Sequence, residues 1–150
     1  MAIDVLTEIT IRRPVDVVAE YAADPSHTPA WYRNIESVEW KTDPPLRVGS
    51  QLAFVAKFLG RTLAYTYEIT ELAPGEKLVM RTAQGPFPME TTYTWQAAGE
   101  QDTRMTLRNR GEPSGFSAVA APVMAAAVRR ANRADLAKLK RVLENAADAF

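Results

Sequence analysis

The sequence predicts an α+β fold: a curved antiparallel sheet of about seven strands around one long C-terminal helix, with two short helices after the first strand. Three observations predict it. Segments of apolar/polar alternation follow one another from residue 35 to residue 110, joined by short turns. From about residue 117 or 121 to residue 147 the apolar spacing becomes helical. Between the first strand and the others stand two short proline-led helical pieces. The 150 residues fit one domain, 1–150, with one core.

The first strand sets Ile3, Val5, Thr7, Ile9 and Ile11 against Asp4, Glu8, Thr10 and Arg12. Leu6 breaks the alternation. Pro14 then suits a first helical turn, and Asp16 lies where a carboxylate favours the helix dipole. Asp24-Pro25 stops that helix after about two turns. A second piece covers residues 28–32, with Pro29 at its start.

Residues 35–42 form the next strand, closed by Asp43-Pro44-Pro45. Residues 51–59 place Leu52, Phe54, Ala56 and Phe58 on one face, and Gly60-Arg61 reads as the tight turn that follows. Residues 62–72 alternate Leu63, Tyr65, Tyr67 and Ile69 with polar neighbours. In Pro74-Gly75-Glu76 the proline sets φ and the glycine accepts positive φ. Residues 78–84 are a strand, followed by the stiff apolar loop Gly85-Pro86-Phe87-Pro88. Met89, Thr91, Tyr93 and Trp95 share one face of the next strand, and residues 103–110 close the sheet. In the final helix Val128, Asn132, Leu136, Leu139, Leu143 and Ala146 fall on one stripe. Pro122 marks the start of this helix or kinks its first turn.

Antiparallel neighbours joined by short turns leave one apolar sheet face to be covered. The C-terminal helix is the only element long enough to cover it.

Composition removes several functions. Lysine plus arginine equals aspartate plus glutamate at 18 each, so no net charge favours nucleic acid or an anionic membrane. Without cysteine there is no disulfide scaffold, thiolate metal site or cysteine nucleophile. The first eight residues lack the basic start and apolar block of a signal peptide, and the longest apolar run, 118–128, is too short for a membrane span. A cytoplasmic protein, monomer or homodimer, is expected. No phosphate-binding glycine loop, nucleophile elbow, metal spacing or redox motif occurs, so neither metal nor cofactor is expected.

Several strings, in order, resemble the START-like or Bet v 1-like (helix-grip, SRPBCC) superfamily. They are Ile11-Arg12-Arg13-Pro14-Val15-Asp16-Val17-Val18, then Asp24-Pro25 before Trp31-Tyr32, and Val48-Gly49-Ser50. Tyr67-Glu68-Ile69-Thr70-Glu71-Leu72-Ala73-Pro74 and Asp102-Thr103-Arg104-Met105-Thr106-Leu107 follow. Within the superfamily the chain looks like the bacterial polyketide cyclase/dehydratase and lipid-transport group. These are scaffold motifs and speak for fold more than activity. The resemblance implies a cavity between sheet and helix, entered near the short helices and the strand loops.

A physical argument points the same way. The first half of the C-terminal helix is small: Ala118, Ala120, Ala121, Ala125, Ala126, Ala127 and Ala131. Its second half carries Leu136, Leu139 and Leu143. The leucine half is expected to pack as solid core and the alanine half to leave room. The alternative is that bulky strand residues fill the space over the alanines, since interiors are normally close-packed.

The candidate wall is Phe54, Phe58, Tyr65, Tyr67, Met80, Thr82, Met89, Thr91, Tyr93, Asn109, Val119 and Val123, with Trp31, Phe87 and Phe116 at the mouth. Its polar points are the hydroxyls of Tyr65, Tyr67 and Tyr93 and the Asn109 amide, each of which a ligand, a backbone carbonyl or water can satisfy. Catalytic candidates are Tyr65, Tyr93, the lone His27 and Arg130; solvation is the simpler reading of His27 and Arg130. Glu68 and Glu90 fall on polar registers. Three functions are consistent: a carrier or sequestering protein for a small hydrophobic molecule (lipid, polyketide or aromatic metabolite), a polyketide cyclase/aromatase or dehydratase, and a protein-interaction module of the chaperone-activator kind.

Overall fold

The computed structural model describes residues 2–85, 87–112 and 121–148. In chain order come β1 (Ile3–Ile11), α1 (Val15–Ala23), a 3-10 turn (Pro25–His27), α2 (Thr28–Trp31), β2 (Ile35–Trp40), β3 (Gln51–Phe58), β4 (Arg61–Ala73), β5 (Lys77–Gln84), β6 (Met89–Ala97), β7 (Thr103–Gly111) and α3 (Ala121–Asp148). The strands form one sheet, ordered β1-β7-β6-β5-β4-β3-β2. Every neighbouring pair is antiparallel. This is the helix-grip architecture that the alternation and the closing helix predict.

Turn chemistry sets the register. Leu59 and Gly60 have φ of 49° and 78°, a two-residue turn that pairs Phe58 with Arg61. The turn lies one residue earlier than Gly60-Arg61, because right-handed strand twist asks for positive φ at both central residues. In the β4–β5 turn, Glu76 N donates to the Ala73 carbonyl at 2.9 Å, with Gly75 at φ 78°. That is a type II turn with proline at its second position and glycine at its third. Two bulges, at Ala83 in β5 and at Thr70 in β4, bend this pair of strands.

The short helices seal one end of the sheet. Helix α1 buries Val18, Ala19 and Ala22, and Asp24 Oδ1 accepts the Ser26 N–H at 2.9 Å to start the 3-10 turn. Trp31 at the end of α2 is fully buried. The C-terminal part of α3 is fastened to β1: Arg12 N donates to Glu144 at 3.1 Å, Lys140 Nζ to the Thr10 carbonyl at 2.9 Å, and Arg13 Nη1 to the Leu143 carbonyl at 2.9 Å.

The core has two parts. The larger joins Leu136, Leu139 and Leu143 to Trp31, Tyr93, Trp95, Met105 and Leu107. The smaller joins Ile3, Leu63 and Met124, flanked by Phe58, Phe87 and Val128. The leucine half of α3 is solid core, as expected. Ala146 is not on the buried stripe but exposed.

Candidate functional site

A cavity of about 160 Å³ lies between the two core clusters. Strand alternation builds most of its wall: Phe54 and Phe58 from β3, Leu63, Tyr65 and Tyr67 from β4, Met80 and Thr82 from β5, Met89, Thr91 and Tyr93 from β6, and Asn109 from β7. Phe87 comes from the β5–β6 loop, and Thr28, Tyr32, Asn34 and Ile35 from α2 and the start of β2. Helix α3 supplies Met124, Val128, Ala131, Asn132 and Asp135. Register places the aromatics together: Phe54 pairs with Tyr65, and their rings stack at 5.7 Å. Tyr65 and Tyr67, two apart on one strand face, meet edge-on at 5.1 Å.

Several polar groups of the wall satisfy one another. Thr91 Oγ1 donates to Asn109 Oδ1 at 2.7 Å, which leaves the Tyr67 hydroxyl to donate to Thr91 at 3.3 Å. The Tyr32 and Tyr93 hydroxyls meet at 2.6 Å. Thr82 Oγ1 donates to the Met89 carbonyl and accepts the Met89 N–H. Burial pushes the phenols of Tyr32, Tyr65, Tyr67 and Tyr93 upward, so all four stay protonated near neutral pH.

The helix side differs. Asp135 is 3% exposed, and one carboxylate oxygen accepts the Arg33 N–H at 3.0 Å. Burial pushes this carboxyl up to about 6, against the Arg33 N–H and the nearby charges of Lys138 and Arg33. Asn132 is 4% exposed and its Nδ2 has no hydrogen-bond partner.

The structure thus brings together Phe54, Phe58, Tyr65, Tyr67, Met80, Thr82, Phe87, Met89, Thr91, Tyr93 and Asn109. Four candidates lie elsewhere. Trp31 does not rim the mouth: α2 turns it into the core against Tyr93, with ring centroids 5.8 Å apart, and Tyr32 takes the cavity position. Val123 is 61% exposed; the helix phase points Met124 inward instead. Arg130 is exposed on the far side of that phase. His27 stacks on Tyr21 at 4.1 Å and hydrogen-bonds the Tyr21 carbonyl through Nδ1, away from the cavity wall. Phe116 and Val119 lie outside the described residues.

Of the alanine stretch, Ala131 is on the described wall, and Ala118 and Ala120 lie outside the described residues. Sequence reasoning missed Tyr32, Met124 and Asp135 as wall residues. Asp135 carried a usable signal: it stands seven residues after Val128 and four before Leu139, on the apolar stripe. Among the described residues no three His, Asp or Glu side chains gather as a metal site, and no helix is long and apolar enough to cross a membrane.

A curved sheet gripping one long helix over an apolar cavity defines the START-like, Bet v 1-like class. The family model described as polyketide cyclase / dehydrase and lipid transport matches residues 2–144, and the chain belongs to that family. Solved structures share the fold at low identity. The Zhui aromatase/cyclase from Streptomyces sp. R1128 is 18% identical, with a TM-score of 0.79 over 96% of this chain and 94% of that one. A START superfamily protein from Mycobacterium smegmatis is 15% identical, with a TM-score of 0.81 over 95% and 97%. The major latex-like protein 151 of Panax ginseng is 17% identical, with a TM-score of 0.73 over 93% and 95%. No curated protein matches the sequence.

Proposed function

We propose that the protein binds a small hydrophobic molecule in the cavity between sheet and α3, as a carrier or sequestering protein. The supporting observation is a void of about 160 Å³ with a mainly aromatic and aliphatic wall, several of whose polar groups are paired with one another. Affinity then comes from burying apolar ligand surface, at about 25 cal/mol per Å². Native mass spectrometry of the purified protein tests it. A co-purified small molecule, displaced on denaturation, is the expected result; protein that neither carries nor takes up any apolar compound contradicts it.

One observation favours a second reading, a cyclase or dehydratase acting in the same cavity. Asp135 is a wall carboxyl pushed up to about 6, which suits a general base near neutral pH. Under that reading Asp135→Asn abolishes turnover of a β-keto substrate. Under the carrier reading there is no turnover to lose.

A further inference from the structure

The polar groups of the cavity are unevenly satisfied. On the strand side Tyr67, Thr91 and Asn109 Oδ1 form one chain of hydrogen bonds, and the Tyr93 hydroxyl meets that of Tyr32. On the helix side Asn132 and Asp135, three residues apart, share one face of α3, with Cβ atoms about 5–6 Å apart by helix geometry. Asn132 Nδ2 is buried with no partner and bears its full desolvation penalty. Asp135 uses one oxygen on Arg33 N–H and keeps acceptor capacity on its carboxylate. Among the described residues of the wall there is no lysine, arginine or histidine, and Asp135 is the only formal charge.

We propose that Asn132 and Asp135 form a subsite for a neutral hydroxyl group, so that the ligand is a one-ring-sized alcohol or phenol. This rests on the reading of the cavity as a ligand site. A hydroxyl oxygen accepts from the Asn132 amide and donates to Asp135 at the same time. A ketone has no proton to give Asp135. A carboxylate has none either, and adds a second negative charge beside Asp135 with no cation on the described wall. An ammonium satisfies Asp135 but offers no acceptor to the amide nitrogen. Size sets the other limit. A void of about 160 Å³ resembles an engineered apolar cavity of about 150 Å³ that holds benzene.

Calorimetric titration of the full chain with four ring-matched probes tests the subsite: 4-ethylphenol, ethylbenzene, 4-methylbenzoate and 4-methylbenzylamine. The expected result is 4-ethylphenol tightest, about tenfold tighter than ethylbenzene. In Asn132→Leu that preference falls to within about twofold, while ethylbenzene still binds. The leucine removes the unpaired Nδ2 donor; Asn132→Ala is the second variant, and the wild-type ranking decides the chemistry without either. Equal affinity for phenol and hydrocarbon, a preference that survives Asn132→Leu, or tightest binding of the anion or the ammonium overturns the hydroxyl subsite and leaves the apolar site standing. Failure of all four probes to bind removes both.

Discussion

Asp135 is the residue where burial and ionisation compete most directly. Its carboxyl sits at about 6 in the folded chain, against about 3.9 for a free aspartate. The folded state therefore holds the proton more tightly than the unfolded state. The sign follows: Asp135 is best tolerated below about pH 4, and stability is lost as pH rises through 6, by up to about 3 kcal/mol. Asp4 is lowered by its Arg108 hydrogen bond and runs the opposite way. So do Glu90 and Glu144, where burial raises the carboxyl but hydrogen bonds from Arg81 and Arg110, and from Lys140 and Arg12 N, outweigh it. Their contribution is present above about pH 4 and is lost as pH falls further; for the half-exposed Asp4 it is small. Asp135→Asn keeps an oxygen for Arg33 N–H and removes the charge. Urea unfolding of this variant is expected to show a gain of about 1–3 kcal/mol at pH 7.5 that fades near pH 4; a pH-independent difference contradicts the assignment. The Tyr32–Tyr93 pair offers a second check at this scale. Tyr93→Phe strands the Tyr32 hydroxyl and should cost about 1–3 kcal/mol, and adding Tyr32→Phe should restore part of it. A double variant as costly as the sum of the singles would mean that the hydroxyls do not depend on each other.

At the scale of elements, close approach and helix phase carry the site. A Cβ on Gly111 would collide with the Pro88 carbonyl and the Met89 sulfur, where the β5–β6 loop is held against the end of β7 by the Glu112 N–H to the same carbonyl. Gly111→Ala is expected to lower the thermal midpoint and to loosen the Phe87–Met89 side of the wall, measured as faster amide exchange there; unchanged exchange contradicts it. Leu139→Ala, in the solid half of α3, should cost about 2–5 kcal/mol. The strands were readable because alternation and turn residues state both face and register. Phe54, Tyr65 and Tyr93 could be placed on the inner face by counting alone. The bulges at Ala83 in β5 and Thr70 in β4 were not readable, since neither residue type marks a skipped pair. Helix phase was the weak point. One residue turns the helix by about 100°, so choosing Val123 over Met124 moved the wall out to solvent. Asp135 was missed, although its spacing put it on the apolar stripe.

For the whole molecule, the fold leaves a void because two core clusters grip α3 at different heights. Leu136, Leu139 and Leu143 sit in one, Met124 in the other, and the wall of Tyr65, Tyr67 and Met80 spans the gap. Close packing is the norm, so an unfilled gap of about 160 Å³ is held open at a cost in stability. Filling it should therefore stabilise the protein and end binding. Ala131→Met, from the wall toward the gap, is expected to raise the thermal midpoint and weaken ethylbenzene binding more than tenfold; unaltered affinity would place the ligand elsewhere. The sequence located the sheet side of this cavity and the solid half of the helix. The source of the space was not legible, because small residues on a helix do not say how far the sheet stands from them.

A crystal of the full chain under xenon pressure probes the void itself. Xenon density bounded by Tyr65, Met80 and Val128 is the expected result. Those side chains in mutual contact, with no xenon between sheet and helix, would contradict an open apolar cavity.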